Sequence, residues 1–279
     1  MNQRKFLKSF LTKLNHVILL LGVGIMILPF FWVISTSFKT QQEAIAIPPT
    51  FIPENPILSN FIQVLGEPLF LRYLLNSIIV SGTVVIVGMF FCSLTGYVLA
   101  KFSFPYSKLF FLMVLGKLMI PGEVFIIPLY LLVLKLGWGD NLIALIIPTE
   151  MISAFGVFMM RQFISDFPDS IMESARLDGC GDFRVFWNII LPNMKHALFT
   201  LGILLFVWSW SMFLWPLIVI DSPENMTIQV GLERFSNQYF TQYGPKMAGV
   251  LLSLLPVLTV FLIFQRRVLD SVTLSSLKE

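Results

Sequence analysis

Residues 161–196 read RQFISDFPDSIMESARLDGCGDFRVFWNIILPNMKH, a polar stretch caught between two long apolar runs at 142–160 and 197–220. Its punctuation predicts two short helices with a turn between them. Pro168 and Asp169 open the first: Asp169 or Ser170 can cap it, and Ser170 with Glu173 three residues on fits a capping box. Gly179 closes it, because glycine takes the left-handed conformation that ends a helix without strain. Asp182 can cap a second helix through Leu191, with Pro192 ending it. Along that helix Phe183, Phe186, Trp187 and Ile190 recur at i, i+3, i+4 and i+7, one apolar stripe that needs a covering partner. The ends of the chain's own helices, or a lipid headgroup layer, would serve as well as another protein.

Composition sets the solvent for the rest. Of 279 residues, 56% are hydrophobic and only 13% charged, and the mean hydropathy is +0.82, far from an average soluble domain. The apolar runs fall at 17–38, 74–100, 109–134, 142–160, 197–220 and 247–264. Each is long enough to cross a bilayer and continuous, where a membrane barrel would alternate over about ten residues. The expected fold is therefore an all-α membrane protein with six spans. Residues 1–16 form a cytoplasmic N-terminus, 17–264 the membrane domain, 161–196 a cytoplasmic loop between spans four and five, and 265–279 a cytoplasmic tail.

Charge sets the orientation. Thirteen of the nineteen Lys and Arg residues, from Arg4, Lys5, Lys8 and Lys13 through Lys101, Arg161, Arg176 and Arg184 to Arg266 and Arg267, fall on the side of the termini and of the 161–196 loop. Only Lys39, Arg72, Lys135, Arg234 and Lys246 fall on the other, so both termini are expected inside. The net charge of +3 follows from this bias and does not point to nucleic acid. The first run follows basic residues as a secretory signal would, but it is about 20 residues long and no A-x-A-like site follows. Span one is expected to remain as an anchor.

An enzyme finds little to build on here. Cys92 and Cys180 lie on a span and in the loop, cannot pair, and are expected reduced. With only His16 and His196 besides, there is no metal-ligand cluster, and no nucleophile stands beside a base. No G-x-x-x-x-G-K-[ST] phosphate loop occurs.

The spacing Glu173-Ser174-Ala175, three residues, Gly179, nine residues, Ile189, one residue, Leu191-Pro192 resembles the cytoplasmic "EAA" signature of permease subunits in bacterial binding-protein-dependent ABC importers. Phe213-Leu214-Trp215-Pro216-Leu217-Ile218 and Ile127-Pro128-Leu129-Tyr130 are similar to the carbohydrate-uptake branch, near the smaller permease of maltose-type systems. The likeness runs from about residue 76 to the C-terminus. It departs at Ser174 and Cys180, where the family often has Ala. The resemblance implies a six-span permease bundle of the bacterial inner membrane whose loop is a coupling helix, a lever seated in a cleft of a separate ATPase. Glu173, Ala175 and Gly179 would shape it, the apolar stripe of Phe183, Phe186, Trp187 and Ile190 would fill the cleft, and Ser174, Ile189, Leu191 and Pro192 would complete the ATPase-coupling set.

The same resemblance implies two ATP-binding subunits holding ATP and Mg, no cofactor on this chain, a second and different permease subunit, an extracytoplasmic sugar-binding protein and contact with membrane lipid. Alternating access would place a water-filled path near the bilayer midplane. Ionisable residues within spans are costly and mark such paths. Lys117 and Glu150 could meet there, as an ion pair or facing the cavity, and Glu123 beside Pro121-Gly122 sits where span three can bend. Trp208, Trp210 and Trp215 offer flat faces for a sugar ring, although packing explains a membrane tryptophan equally well. The competing class is an ion- or proton-coupled secondary transporter, which would not need the loop.

Overall fold

The computed structural model describes residues 2–148, 153–236 and 241–276, which are helical apart from one antiparallel bridge between Ser236 and Thr241 and the connecting turns. In chain order the helices are α1 (Asn2–Ser37), α2 (Gln41–Ala44), α3 (Ser59–Gly66), α4 (Phe70–Lys101), α5 (Ser107–Met119) and α6 (Ile126–Lys135). There follow α7 (Ile143–Ile146), α8 (Ala154–Ser165), α9 (Asp169–Leu177), α10 (Asp182–Val185), a π-helical turn at Phe186–Ile190 and α11 (Leu191–Asn193). The last four are α12 (Lys195–Trp210), α13 (Leu214–Val219), α14 (Ile228–Glu233) and α15 (Tyr243–Ser276).

By length and composition three segments can cross a bilayer on their own: Thr12–Ser37, Phe70–Lys101 and Tyr243–Phe264. Two bent pairs raise the number to five among the described residues. The expected third span is one of these pairs, since Ser107–Met119 and Gly122–Lys135 meet at 103°. Proline explains the bend: the residue before it is driven out of the helical region, and Ile120 sits at φ −98°, ψ 123°. The other pair is Asp182–Asn193 with Lys195–Trp210, at 82°; the expected fifth span is also interrupted within its run, stopping at Trp210 and resuming at Leu214. Pro216 has no N–H, and its ring would collide with the Met212 carbonyl in a continuous helix. The fourth run contains α7 and the start of α8, which continues to Ser165, inside the expected loop; 149–152, with Glu150, lie outside the described residues.

The chain divides into two compact units, Met1–Pro68 with Leu232–Leu255 and Leu69–Gly231 with Pro256–Glu279. In the first, Leu19, Leu20, Ile25 and Met26 of α1 are exposed on a helix apolar all round, as suits one solvated by lipid. Its end is fixed by Asn60, whose Nδ2 donates to the Ser37 and Lys39 carbonyls at 2.9 and 2.8 Å. Lys39 is itself buried, its ammonium donating to the Thr50 carbonyl over the face of Trp32.

The second unit is organised around α4, which packs against α8 and α12. The α4–α8 crossing is tight at Gly96, where a Cβ would meet the Arg161 backbone nitrogen at 2.8 Å and the Met160 Cβ at 2.9 Å. At the other end of α4, Asn76 donates to the Glu224 and Met226 carbonyls, both at 2.9 Å, and the Ser77 hydroxyl accepts from the Ile228 amide at 2.8 Å. Those span-two polar residues hold a connecting segment in place. Asp140, at φ +53°, binds the same segment: its carboxylate accepts from the Asp221 and Ser222 amides at 3.1 and 2.9 Å and from the Ser222 hydroxyl.

Two outcomes are expected. Gly96→Val should overpack the crossing and destabilise the protein by about 1–3 kcal/mol, read as a lowered melting temperature in detergent. The bonds from Ser222 hold the Asp140 carboxyl below its ordinary value of 3.8. Their stabilisation is therefore complete above that value and is lost as pH falls through the lower folded one. The melting-temperature advantage over Asp140→Asn should be flat above about pH 4 and shrink at lower pH; an advantage independent of acidification would refute the assignment.

Candidate functional site

The charged loop is part of the core. Met172 and Ala175 of α9, Val185 of α10, and Phe186 and Ile190 of the π-helical turn are buried with Cys92 and Tyr97 of α4, Val157, Met160 and Ile164 of α8, and Leu201 and Leu205 of α12. Tyr97 stacks on Phe186, centroids 5.4 Å apart at 28°.

Gly179 turns the chain as the spacing predicts. Its φ is +82°, its amide donates to the Arg176 carbonyl at 3.0 Å, and the Cys180 amide reaches back to Ala175 at 3.0 Å. These are the two bonds of a Schellman closure. Across the turn the Arg176 guanidinium pairs with Asp182 at 2.9 Å, which raises the Arg176 pKa further. The expected capping box is absent: Pro168 occupies the cap of α9 without a side-chain bond, and the Asp169 carboxylate turns to Lys101 at 2.7 Å. The expected cap of the second helix also shifts by one residue, with Gly181 at the cap and Asp182 inside.

The predicted stripe divides into two edges. Phe186 and Ile190 are fully buried, whereas Phe183 is 62% and Trp187 52% exposed and they stack on each other, centroids 6.3 Å apart at 18°. A π-helical turn bonds i to i+5 and widens the helix, so α-helical spacing no longer keeps four residues on one face. The helix also runs past Pro192 to Asn193, because the bend comes two residues later, at 82° to α12. Glu173, Ser174, Gly179 and Pro192 are exposed, and Ile189 and Leu191 are half-buried against the core. Leu177 is 89% exposed, an outward apolar residue that inward-facing periodicity does not flag. An apolar residue in a charged run, immediately before Asp178-Gly179, is the sequence signal that marks it.

A second feature lies at the two helix breaks. A cavity of about 580 Å³ is lined by Lys117, Gly122, Glu123, Phe125, Ile126, Leu129 and Pro148 on one side and Met212, Phe213, Leu214 and Trp215 on the other. It brings together three of the predicted path residues, Lys117, Glu123 and Trp215. Trp215 is fixed, its indole donating to the Ala144 carbonyl at 2.9 Å, and is buried enough that Phe125 and Phe213, 39% and 40% exposed, present the open rings. Trp208 packs edge-on against Phe155 and Trp210 stacks on Phe206; neither lines the cavity. Phe125 and Phe213 were not legible as lining residues, since their exposure depends on where the helices break.

A bundle of apolar helices with two proline-broken members around a cavity, and a structured charged loop fused to its core, is the architecture of a membrane transport component. The chain belongs to the family of binding-protein-dependent transport system inner membrane components, which matches residues 92–273. It is 34% identical over 257 residues to the arabinooligosaccharides transport system permease protein AraQ of Halalkalibacterium halodurans, covering 91% of this chain and 92% of that one. It is 30% identical over 267 residues to the sn-glycerol-3-phosphate transport system permease protein UgpE of Escherichia coli, covering 93% and 95%. Its fold matches a chain of a bacterial ABC transporter involved in the import of the acidic polysaccharide alginate, with TM-score 0.82, 22% identity and coverage of 92% and 96%.

The division of the stripe has an energetic consequence. Phe186→Ala should cost about 3–5 kcal/mol, the usual loss for a buried phenylalanine. Phe183→Ala should stay within about 0.5 kcal/mol. Thermal unfolding of the two variants checks the contrast, and equal effects would overturn it.

Proposed function

We propose that this chain is a membrane-spanning permease subunit of an ATP-driven importer, carrying a sugar, most simply an oligosaccharide, inward by alternating access. Six spans with both termini in the cytoplasm put the 169–192 loop on the side where ATP is available. ATP and Mg are held by two partner subunits, a different permease completes the pore, and an extracytoplasmic binding protein delivers cargo. The observation that carries the coupling role is the outward set Leu177, Phe183 and Trp187: exposed apolar side chains on a loop most of whose other apolar residues, Ile171 excepted, are locked into the core. Exposed apolar side chains of that kind, flanked in sequence by charge, mark an interaction site. Glu173, Ser174, Ala175 and Gly179 set the lever's shape, Phe186, Ile189 and Leu191 fix it to the bundle, and Pro192 completes the lever.

Relatives named for arabinooligosaccharide and glycerol-3-phosphate transport support a hydroxyl-rich cargo. The cavity suits one: Lys117 and Glu123 supply a donor and an acceptor, and Phe125 and Phe213 supply ring faces for the apolar side of a sugar. Among the described residues neither charge has an ion-pair partner.

Copurification tests the coupling role. The native chain should bring down an ATPase subunit. Gly179→Val, which forces a β-branched residue to positive φ at a cost of about 1–3 kcal/mol, and Leu177→Asp, on the exposed surface, should both insert normally and lose it. Retention of the ATPase by both variants would sink the reading. Uptake that persists without the ATPase and stops when the proton gradient collapses would establish the secondary transporter instead.

A further inference from the structure

The cytoplasmic-end turn of α4 holds both legs of the loop. Lys101 is its last residue, and its side chain is 6% exposed. Its ammonium donates to the Asp169 carboxylate at 2.7 Å, to the Phe167 carbonyl at 2.6 Å and to the Ser165 carbonyl at 3.3 Å. A lysine ammonium has three protons, and here they engage the end of α8, the connector and the first residue of α9. One turn earlier Tyr97 stacks on Phe186 of the second leg, and one residue later Phe102 lies under the Arg176 guanidinium, 5.7 Å from its ring centroid. Arg176 in turn bridges to Asp182, so the two legs are tied to each other and to α4 by contacts that leave little independent travel.

We infer that Lys101 is a positioning residue that makes α4 and the loop one rigid body, so that a push on the loop is delivered to α4 instead of being absorbed in the 166–168 connector. The inference rests on the coupling role of the loop proposed above. Charge and reach together single Lys101 out. Arginine could keep contact with Asp169 and a carbonyl, whereas glutamine loses the charge and shortens the donor. Asp169, with its side chain 71% exposed, is the softer partner and can be neutralised without emptying any buried space.

The test uses the full chain with its copurifying ATPase, spin-labelled at Leu75 and at Ile171 of α9, outside the docking set, on a Cys180→Ser background that keeps the buried Cys92. Both labelled positions are exposed, and Leu75 lies roughly 40 Å along α4 from residue 101. Interspin distances are measured without nucleotide and with ATP and vanadate. The native chain should give one narrow distance that nucleotide does not move. Lys101→Gln should broaden it and make it nucleotide-dependent, Asp169→Asn should do so in part, and Lys101→Arg should restore the single distance. A native distance that shifts with nucleotide would overturn the inference, because loop and helix then move apart. So would an unchanged narrow distance in both Lys101→Gln and Asp169→Asn. A third label at Phe183 separates the two readings: if the bound ATPase does not immobilise it, the socket role fails, while the nucleotide-free Leu75–Ile171 distance still decides whether Lys101 clamps the loop.

Discussion

The structure depends on one burial: Phe186 and Ile190 sealed between α4, α8 and α12. Their side chains belong to a segment that charge patterning alone would leave in water, and placing them inside fixes the loop as firmly as any span. A fully buried phenylalanine and isoleucine together contribute several kcal/mol of transfer free energy. Against that, the polar residues of the loop remain at the surface and cost little. The Gly179 reversal makes the burial possible, since it lets α9 and the 182–193 segment approach the same core from opposite sides of a two-bond closure.

Proline sets the other half of the architecture. Pro121 and Pro216 each forbid a continuous helix at a position where the hydropathy is unbroken, and the residues around the two interruptions face a common cavity. Within a membrane, backbone that leaves the helix must find partners or line a polar space. The Trp215 indole bond to Ala144 is one such partner arrangement, and it ties α13 to α7. Cavity and loop therefore arise from different physics, steric exclusion at proline in one case and apolar burial in the other. They share α4 as their scaffold: Val80 and Val84 pack with Trp215 towards one end, and Tyr97 stacks on Phe186 towards the other.

The class of fold was legible in the sequence because an unbroken apolar run of about 20 residues matches the thickness of a bilayer core and exceeds what a soluble core requires. The loop's turn was legible because a positive-φ position in an L-chain selects glycine. The helix breaks were visible as prolines, but hydropathy runs straight through them, which is why 109–134 reads as one span and folds as two helices at 103°. The stripe at 183–190 was read with α-helical spacing, and the π-helical turn rotated half of it outward. No residue in Phe186–Ile190 announces that turn; it follows from the tertiary demand that both Phe186 and Ile190 reach the core. Lys117 and Glu123 were reachable as cavity-lining residues from the rule that ionisable groups in spans are costly, and Trp215 from its flat aromatic face, while Trp208 and Trp210 pack against Phe155 and Phe206 instead.

Exposed apolar residues have different meanings along this chain. On α1 they lie on a helix with no charge between Val17 and Ser37, where acyl chains are a sufficient partner. On the loop, Leu177 sits between Arg176 and Asp178, and Phe183 between Asp182 and Arg184, all six of them exposed. Acyl chains cannot cover Leu177 and Phe183 without also desolvating those charges, at a cost that exceeds the apolar gain. Water leaves the apolar groups uncovered. The surface that satisfies both is one with an apolar floor and a polar rim, which is the anatomy of a protein interface. The loop's own sequence therefore argues for a protein partner over a lipid one.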